Sequence, residues 1–312
     1  MPAPGTFGVL SANPDMPART RVDLAVQRRL RSLGRGLNAR LDTDAEALHR
    51  TRVVTRRLRE ALPLFGPDEE IQPLSDLVQH VTRALGGVRE MDVALALVDS
   101  LAGERPDLKP ALDLVRSALA AERVARLHRM RQEVDARALR RASRTLAERA
   151  GEAAANARPT VVLAERLAER ADDLRRAVSD AGLLYAPERL HRVRIATKKL
   201  RYGLELADEV GVASTRRLVA DLKGVQERLG MLHDLESVAR HARQALAEPG
   251  VPDATARLAA PTLSMLEGKI HARHADYVAN RVTLVRVVDH TLTVCRRLRR
   301  DGRARPADDR LT

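Results

Sequence analysis

Apolar residues recur along this chain at intervals of three and four, the repeat of helices with one buried face. The pattern starts near Arg19 with Val22, Val26, Leu30 and Leu33, pauses at Gly34 and Gly36, and resumes at Leu37 and Leu41. A second helix is announced by Asp42, Thr43 and Asp44, whose side-chain oxygens suit the free N–H groups and positive dipole of a helix start. Pro63 and the Gly66-Pro67 pair end or bend it. Further helices are predicted over 70–85, 88–102, 107–136, 138–156, 160–181, 187–210, 213–229, 232–247, 252–279 and 281–301, most of them separated by Gly or Pro. No segment alternates as a strand would, so the predicted fold class is all-α. Residues 1–17 read as a flexible lead and 303–312 as a flexible tail, with Arg158-Pro159 as the junction between two halves.

The two halves share a phrase. Leu48-His49-Arg50-x-Arg52-x-x-Thr55-Arg56-Arg57-Leu58-Arg59-x-x-Leu62 returns 142 residues later as Leu190-His191-Arg192-x-Arg194-x-x-Thr197-Lys198-Lys199-Leu200-Arg201-x-x-Leu204. A second run, Leu85-Gly86-x-x-Arg89-Glu90-Met91-Asp92, returns as Leu229-Gly230-x-x-His233-Asp234-Leu235-Glu236, now 144 apart. Two motifs in one order at nearly one offset point to an internal duplication. On a wheel of about 100° per residue, His49, Arg52, Arg56 and Arg59 form one stripe, and Val54, Leu58, Leu62 and Phe65 gather opposite it. His191, Arg194, Lys198 and Arg201 repeat the stripe, with Leu200 and Leu204 on the buried side. Four like charges on successive turns repel by a few tenths of a kcal/mol per neighbouring pair, and a bound anion relieves that repulsion. The competing arrangement pairs these cations with Glu and Asp of neighbouring helices.

Composition sharpens the picture. Hydrophobic residues make up 44% of the chain but aromatics only 2%, with no Trp, so the core must be built from Leu, Val and Ala. A net charge of +13 and a pI near 10.9 favour a polyanionic partner. Only five of the 55 basic residues are lysine, and arginine is the side chain that forks onto phosphate oxygens. Arg-rich composition also follows from a GC-rich genome, so charge alone does not select the partner. The single cysteine, Cys295, excludes an intrachain disulfide framework and reads as a buried small hydrophobe. Neither a signal peptide nor a membrane span is recognisable, so the expected location is cytoplasmic, with no membrane partner.

Other chemistry is thinly supported. Glu90, Asp92, Asp234 and Glu236 resemble paired carboxylates for acid–base work or Mg²⁺, but no nucleophile or phosphate loop accompanies them, and they are expected to orient neighbouring cations instead. His271 and His274 are spaced i,i+3, a weak metal signal better read as surface histidines. No metal, cofactor or catalytic residue is therefore predicted, and the protein is not expected to be an enzyme. Single-strand nucleic-acid binders use aromatic platforms, which two Phe and three Tyr scarcely provide. Duplex DNA needs only charge, so nonspecific nucleic-acid binding stays open as an alternative, as does a scaffold that recruits acidic proteins.

The same residues resemble the CHAD family, the conserved-histidine α-helical domain. His49 through Arg59 is similar to the family's first basic motif, His191 through Tyr202 to its second, and the runs at 85–93 and 229–235 to two more. The resemblance spans about residues 19–300, giving a domain over 18–302 with halves at about 18–157 and 158–302. It implies two pseudo-symmetric bundles of about four long helices each, around a basic central groove that binds inorganic polyphosphate, often on polyphosphate granules. Carried onto this chain, the binding residues are His49, Arg52, Arg56, Arg57, Arg59, His191, Arg194, Lys198, Lys199 and Arg201, with Arg50, Arg89, Arg192, Tyr202 and Lys223 as secondary candidates. The histidines are expected to donate hydrogen bonds to phosphate and to gain charge at mildly acidic pH. Arg50, Glu90 and His233 depart from the family's pattern, which bears on selectivity more than on binding.

Overall fold

The computed structural model describes residues 18–38, 44–64, 68–135, 137–138, 141, 144 and 159–304. The lead, most of the 138–156 segment, Phe65, the Gly66-Pro67 pair and residues 305–312 of the tail lie outside the described residues. Those that are described form an all-helical fold with no strand. The long helices are α1 (Ala18–Asn38), α2 (Ala45–Ala61), α3 (Asp68–Glu104), α4 (Lys109–Glu133), α5 (Pro159–Ala181), α6 (Pro187–Glu209) and α7 (Arg216–Leu246). After the single turn α8 (Asp253–Ala256) come α9 (Ala259–Asn280) and α10 (Val282–Ala304). Short 3₁₀ turns at Leu62–Leu64 and Pro106–Leu108 join α2 to α3 and α3 to α4. Helices α1 to α4 pack in succession; α5 lies against α6 and α10, and α7 against α6, α9 and α10. The two groups meet where α2 touches α6 and where α7 touches α3 and α4.

The start of α2 follows its sequence signal. Asp44 is the N-cap, and its Oδ1 accepts from the N–H groups of Glu46 (3.0 Å) and Ala47 (2.8 Å), supplying partners to two otherwise unsatisfied donors. Pro63 falls in the 3₁₀ turn that closes the helix. The core is aliphatic, as the composition requires: Leu33, Leu48, Leu58, Leu62, Leu85, Leu101 and Leu112 are fully buried. Leu58 of α2 and Leu200 and Leu204 of α6 occupy it as the wheel predicts, whereas Val54 is only half-buried and lines the basic groove. The threonine shared by both motifs is structural. Thr55 and Thr197 are buried, and each hydroxyl donates to a carbonyl of the preceding turn, Arg52 O at 2.9 Å and Val193 O at 2.8 Å.

Three predicted breaks are absent. Helix α1 runs through Gly34 and Gly36, α3 spans 37 residues through Gly86-Gly87, and α7 spans 31 residues through Gly230. None of these glycines adopts the positive φ that would end a helix. At Gly36 and Gly86 the missing side chain lets a neighbour approach. A Cβ on Gly36 would collide with Thr51 of α2, and one on Gly86 would stand 3.5 Å from the guanidinium of Arg52. Conversely, the predicted helix over 252–279 is divided, because α8 is a single turn separated from α9.

Candidate functional site

Helices α2 and α6 carry the two basic motifs and lie against each other, so their stripes border one groove of about 2410 Å³. Side chains of α1, α3, α5 and α7 complete its walls. All ten primary residues predicted from the sequence line it, as do Arg50, Arg89, Tyr202 and Lys223. Arg192 does not: it is exposed and lies outside the groove lining, unlike Arg50 at the equivalent place in the first motif.

The cations in the groove divide by partner. Arg57 Nε donates to Glu205 Oε2 at 3.0 Å, and Arg201 binds the other oxygen of Glu205 while its Nε donates to Gln226 at 2.8 Å. Arg59 lies 3.5 Å from the Gln79 carbonyl oxygen. Arg50 pairs with Glu46 and Asp44, and Lys223 with Glu227. Arg52, Arg56, Arg89, Arg194, Lys198 and Lys199 have no carboxylate within 4.0 Å among the described residues. The Nε atoms of Arg52 and Arg194 are buried without any hydrogen-bond partner. The sequence left open whether the stripes pair internally or await an anion; the structure shows both, residue by residue.

Burial and mutual repulsion mark this unpaired set. Burial first, and then Arg194, Arg56 and Arg52, push the Lys198 ammonium down to about 6 despite the opposing charge of Asp234. Burial and the neighbouring Arg56 lower Arg52 to about 9. Arg194 is lowered by burial, partly offset by Asp234. His49 is lowered by burial and Arg89, and His191 by burial and Arg194. The expected gain of histidine charge at mildly acidic pH is therefore corrected for the ligand-free protein, since cationic neighbours hold both imidazoles neutral to lower pH. In that state each ring offers one N–H donor.

Several groove residues escaped the sequence reading. Arg28, Arg29, Arg31 and Arg35 of α1 and Arg166 and Arg170 of α5 line the same groove. Their i,i+4 spacings, Arg31/Arg35 and Arg166/Arg170, were available as a signal. Arg29 is buried and bound to Glu209 at 2.5 Å, which ties α1 to α6. His233, part of the repeated run and a departure from the family's pattern, lies tilted against His191 with ring centroids 5.3 Å apart and is pushed down to about 4 by burial and Arg194.

The acidic residues serve other partners. Glu90 binds Arg126 at 2.9 Å and Ser237 at 3.2 Å, joining α3 to α4 and α7, and Asp92 binds Arg123 at 2.6 Å, joining α3 to α4. Glu236 accepts from Tyr185 Oη at 2.8 Å. Of the four, Glu90 and Asp234 line the groove, and burial raises the Asp234 carboxyl against the pull of Arg194 and Lys198. His271 and His274 pack edge-on against Tyr185, and among the described residues no cluster suits a metal. Cys295 is buried, and burial raises its thiol to about 11. No helix among the described residues is long and apolar enough to cross a membrane.

The family model of the CHAD domain matches residues 24–244. The chain belongs to the CHAD domain family. The match is shorter than the 19–300 expected from the motifs and stops within α7, short of α9 and α10. A crystal structure of the CHAD domain from the plant Ricinus communis aligns with a TM-score of 0.67 and 27% identity, over 90% of this chain and 96% of that one. PptA from Streptomyces chartreusis aligns over 93% of this chain and 100% of its own, with a TM-score of 0.54 and 16% identity, a likeness of fold. No curated protein matches the chain.

Proposed function

We propose that this CHAD protein binds inorganic polyphosphate in the groove between α2 and α6. The observation that carries this reading is the unpaired set Arg52, Arg56, Arg89, Arg194, Lys198 and Lys199. Six cations drawn from α2, α3 and α6 share one groove, and no carboxylate within 4.0 Å neutralises any of them among the described residues. Bringing them together opposes folding through desolvation and repulsion, and a polyanion reverses both costs. Each guanidinium grips phosphate oxygens with paired N–H groups, the lysines add point charges, and His49 and His191 donate single hydrogen bonds. A ligand made of phosphates without bases suits a wall whose one Phe, Tyr or Trp side chain among the described residues, Tyr202, is itself buried beneath Arg201.

The protein acts in this reading as a binder, not a hydrolase, and resides in the cytoplasm at polyphosphate granules. Binding of long-chain polyphosphate to the protein and to an Arg56→Gln/Lys199→Gln variant tests it; affinity should fall at least about tenfold in the variant. Equal affinity would place the ligand elsewhere. Nonspecific binding of nucleic acid is the second reading, favoured by the net charge of +13.

A further inference from the structure

Lys198 is the one buried lysine of the chain; Lys199 beside it also lines the groove without an ion-pair partner among the described residues, but is only half-buried. Lys109, Lys223 and Lys269 have side chains 59%, 62% and 37% exposed and sit beside Asp113, Glu227 and Glu104. Lys198 is 9% exposed, opens onto the groove, and has no ion-pair partner among the described residues. Around it stand Arg52 and Arg56 from α2, Arg194 one turn earlier on α6, and Asp234 from α7 at longer range. The arrangement sets an amine among guanidinium groups able to hold a phosphoryl group.

We propose that Lys198 is an acylation site that takes its acyl group from small acyl phosphates, whose phosphoryl end docks on Arg56 and Arg194. The proposal rests on reading the groove as a phosphate site. Docking brings the acyl carbon to Nζ, as a nucleophile set beside an electrophile's binding group requires. The Nζ lone pair attacks the acyl carbon, and the bond from that carbon to the bridging phosphate oxygen breaks. Orthophosphate leaves and takes up the proton released by the nitrogen, so no oxidant or reductant is consumed. The step needs a neutral amine, and the burial and guanidinium charges that lower Lys198 to about 6 provide one at neutral pH. A bound phosphate chain favours the ammonium form of Lys198, and the product amide cannot take up that proton, so acylation weakens the groove's hold on phosphate chains.

Full-length protein treated with acetyl phosphate near pH 7.5, followed by peptide mass spectrometry over time, tests the proposal with the chain's own lysines as references. Lys198 should be acetylated about tenfold or more faster than Lys109, although it is far less exposed. With an uncharged acetyl donor such as p-nitrophenyl acetate that preference should shrink severalfold, because no phosphoryl group docks. An equal preference with both donors, or no preference with acetyl phosphate, overturns the proposal. Long-chain polyphosphate added in excess should protect Lys198 and leave Lys109 reactive. If acetyl phosphate still selects Lys198 but polyphosphate gives no protection, the acylation site stands and the polyphosphate reading of the groove falls.

Discussion

Glu205 holds Arg57 across the seam between α6 and α2, with Nε and Oε2 3.0 Å apart, and its second oxygen binds Arg201 on its own helix. One carboxylate thus occupies Arg201, which the helical wheel places on the second stripe, and Arg57, which the CHAD resemblance adds to the binding residues. Glu205→Gln should free both and strengthen polyphosphate binding severalfold. The same change leaves two cations short of a counter-charge and should lower stability by about 1–3 kcal/mol. Titration calorimetry with polyphosphate and thermal unfolding of the variant measure the two effects separately. Weaker binding together with lower stability would show that Glu205 organises the site instead of competing for it.

Lys198 should show the opposite trade. Lys198→Met removes a buried amine that must give up its proton on folding near pH 7, and it keeps the stem that packs there. Stability should rise by about 1 kcal/mol or more, while polyphosphate affinity falls. Denaturant unfolding with a parallel binding titration checks both signs.

The pH dependence follows from the same group. In the unfolded chain Lys198 holds its proton to near its ordinary value, about 10.4, whereas in the folded groove it releases it at about 6. Between these values the unfolded state binds more protons, so stability contributed by this site rises with pH and is lowest below about 6. A bound polyanion favours the ammonium, so binding near pH 7 should take up a proton and tighten as the pH falls toward 6. Calorimetry in buffers of different ionisation enthalpy reads the uptake, and it should vanish in Lys198→Met.

Gly86 provides a steric test. Its absent side chain leaves the Arg52 guanidinium 3.5 Å from the Cβ position, an ordinary contact distance. Gly86→Ala should therefore keep binding and stabilise α3 by up to about 1 kcal/mol. Gly86→Leu should displace Arg52 and weaken polyphosphate binding severalfold. Chemical denaturation and a polyphosphate titration of the two variants distinguish these outcomes.

The helices, their buried faces and the basic stripes were legible in the sequence because they depend on local spacing. The Asp44 cap, the buried sides of α2 and α6, and the groove position of the eight stripe residues follow from periodicity and the repeated phrase, while Arg57 and Lys199 came from the CHAD resemblance. The uninterrupted α3 and α7 were not legible: Gly86, Gly87 and Gly230 look like breakers until neighbouring helices supply the packing that outweighs their propensity. Pairing was equally hidden. Arg56 and Arg57 are adjacent and identical in type, yet 100° of helix rotation turns one toward the groove cations and the other toward Glu205, 148 residues away. The arginines of α1 and α5 stand at the same groove through tertiary packing; their i,i+4 spacings put them on one face of each helix but do not say which neighbour that face meets.

Selectivity is the central claim, and competition tests it most directly. Long-chain polyphosphate and duplex or single-stranded DNA, matched in phosphate concentration and held at one salt concentration, compete for the same protein. Salt must be fixed because every polyanion loses affinity as counterion release becomes less favourable, with slopes of roughly 0.7 to 0.9 per phosphate contact for nucleic acids. A thin chain of phosphates reaches the half-buried Arg52 and Arg194 and the buried Lys198, whereas a duplex meets only the outer rim. Polyphosphate should displace DNA at equal phosphate; retention of DNA in the presence of polyphosphate would contradict the account and make the groove a nucleic-acid site.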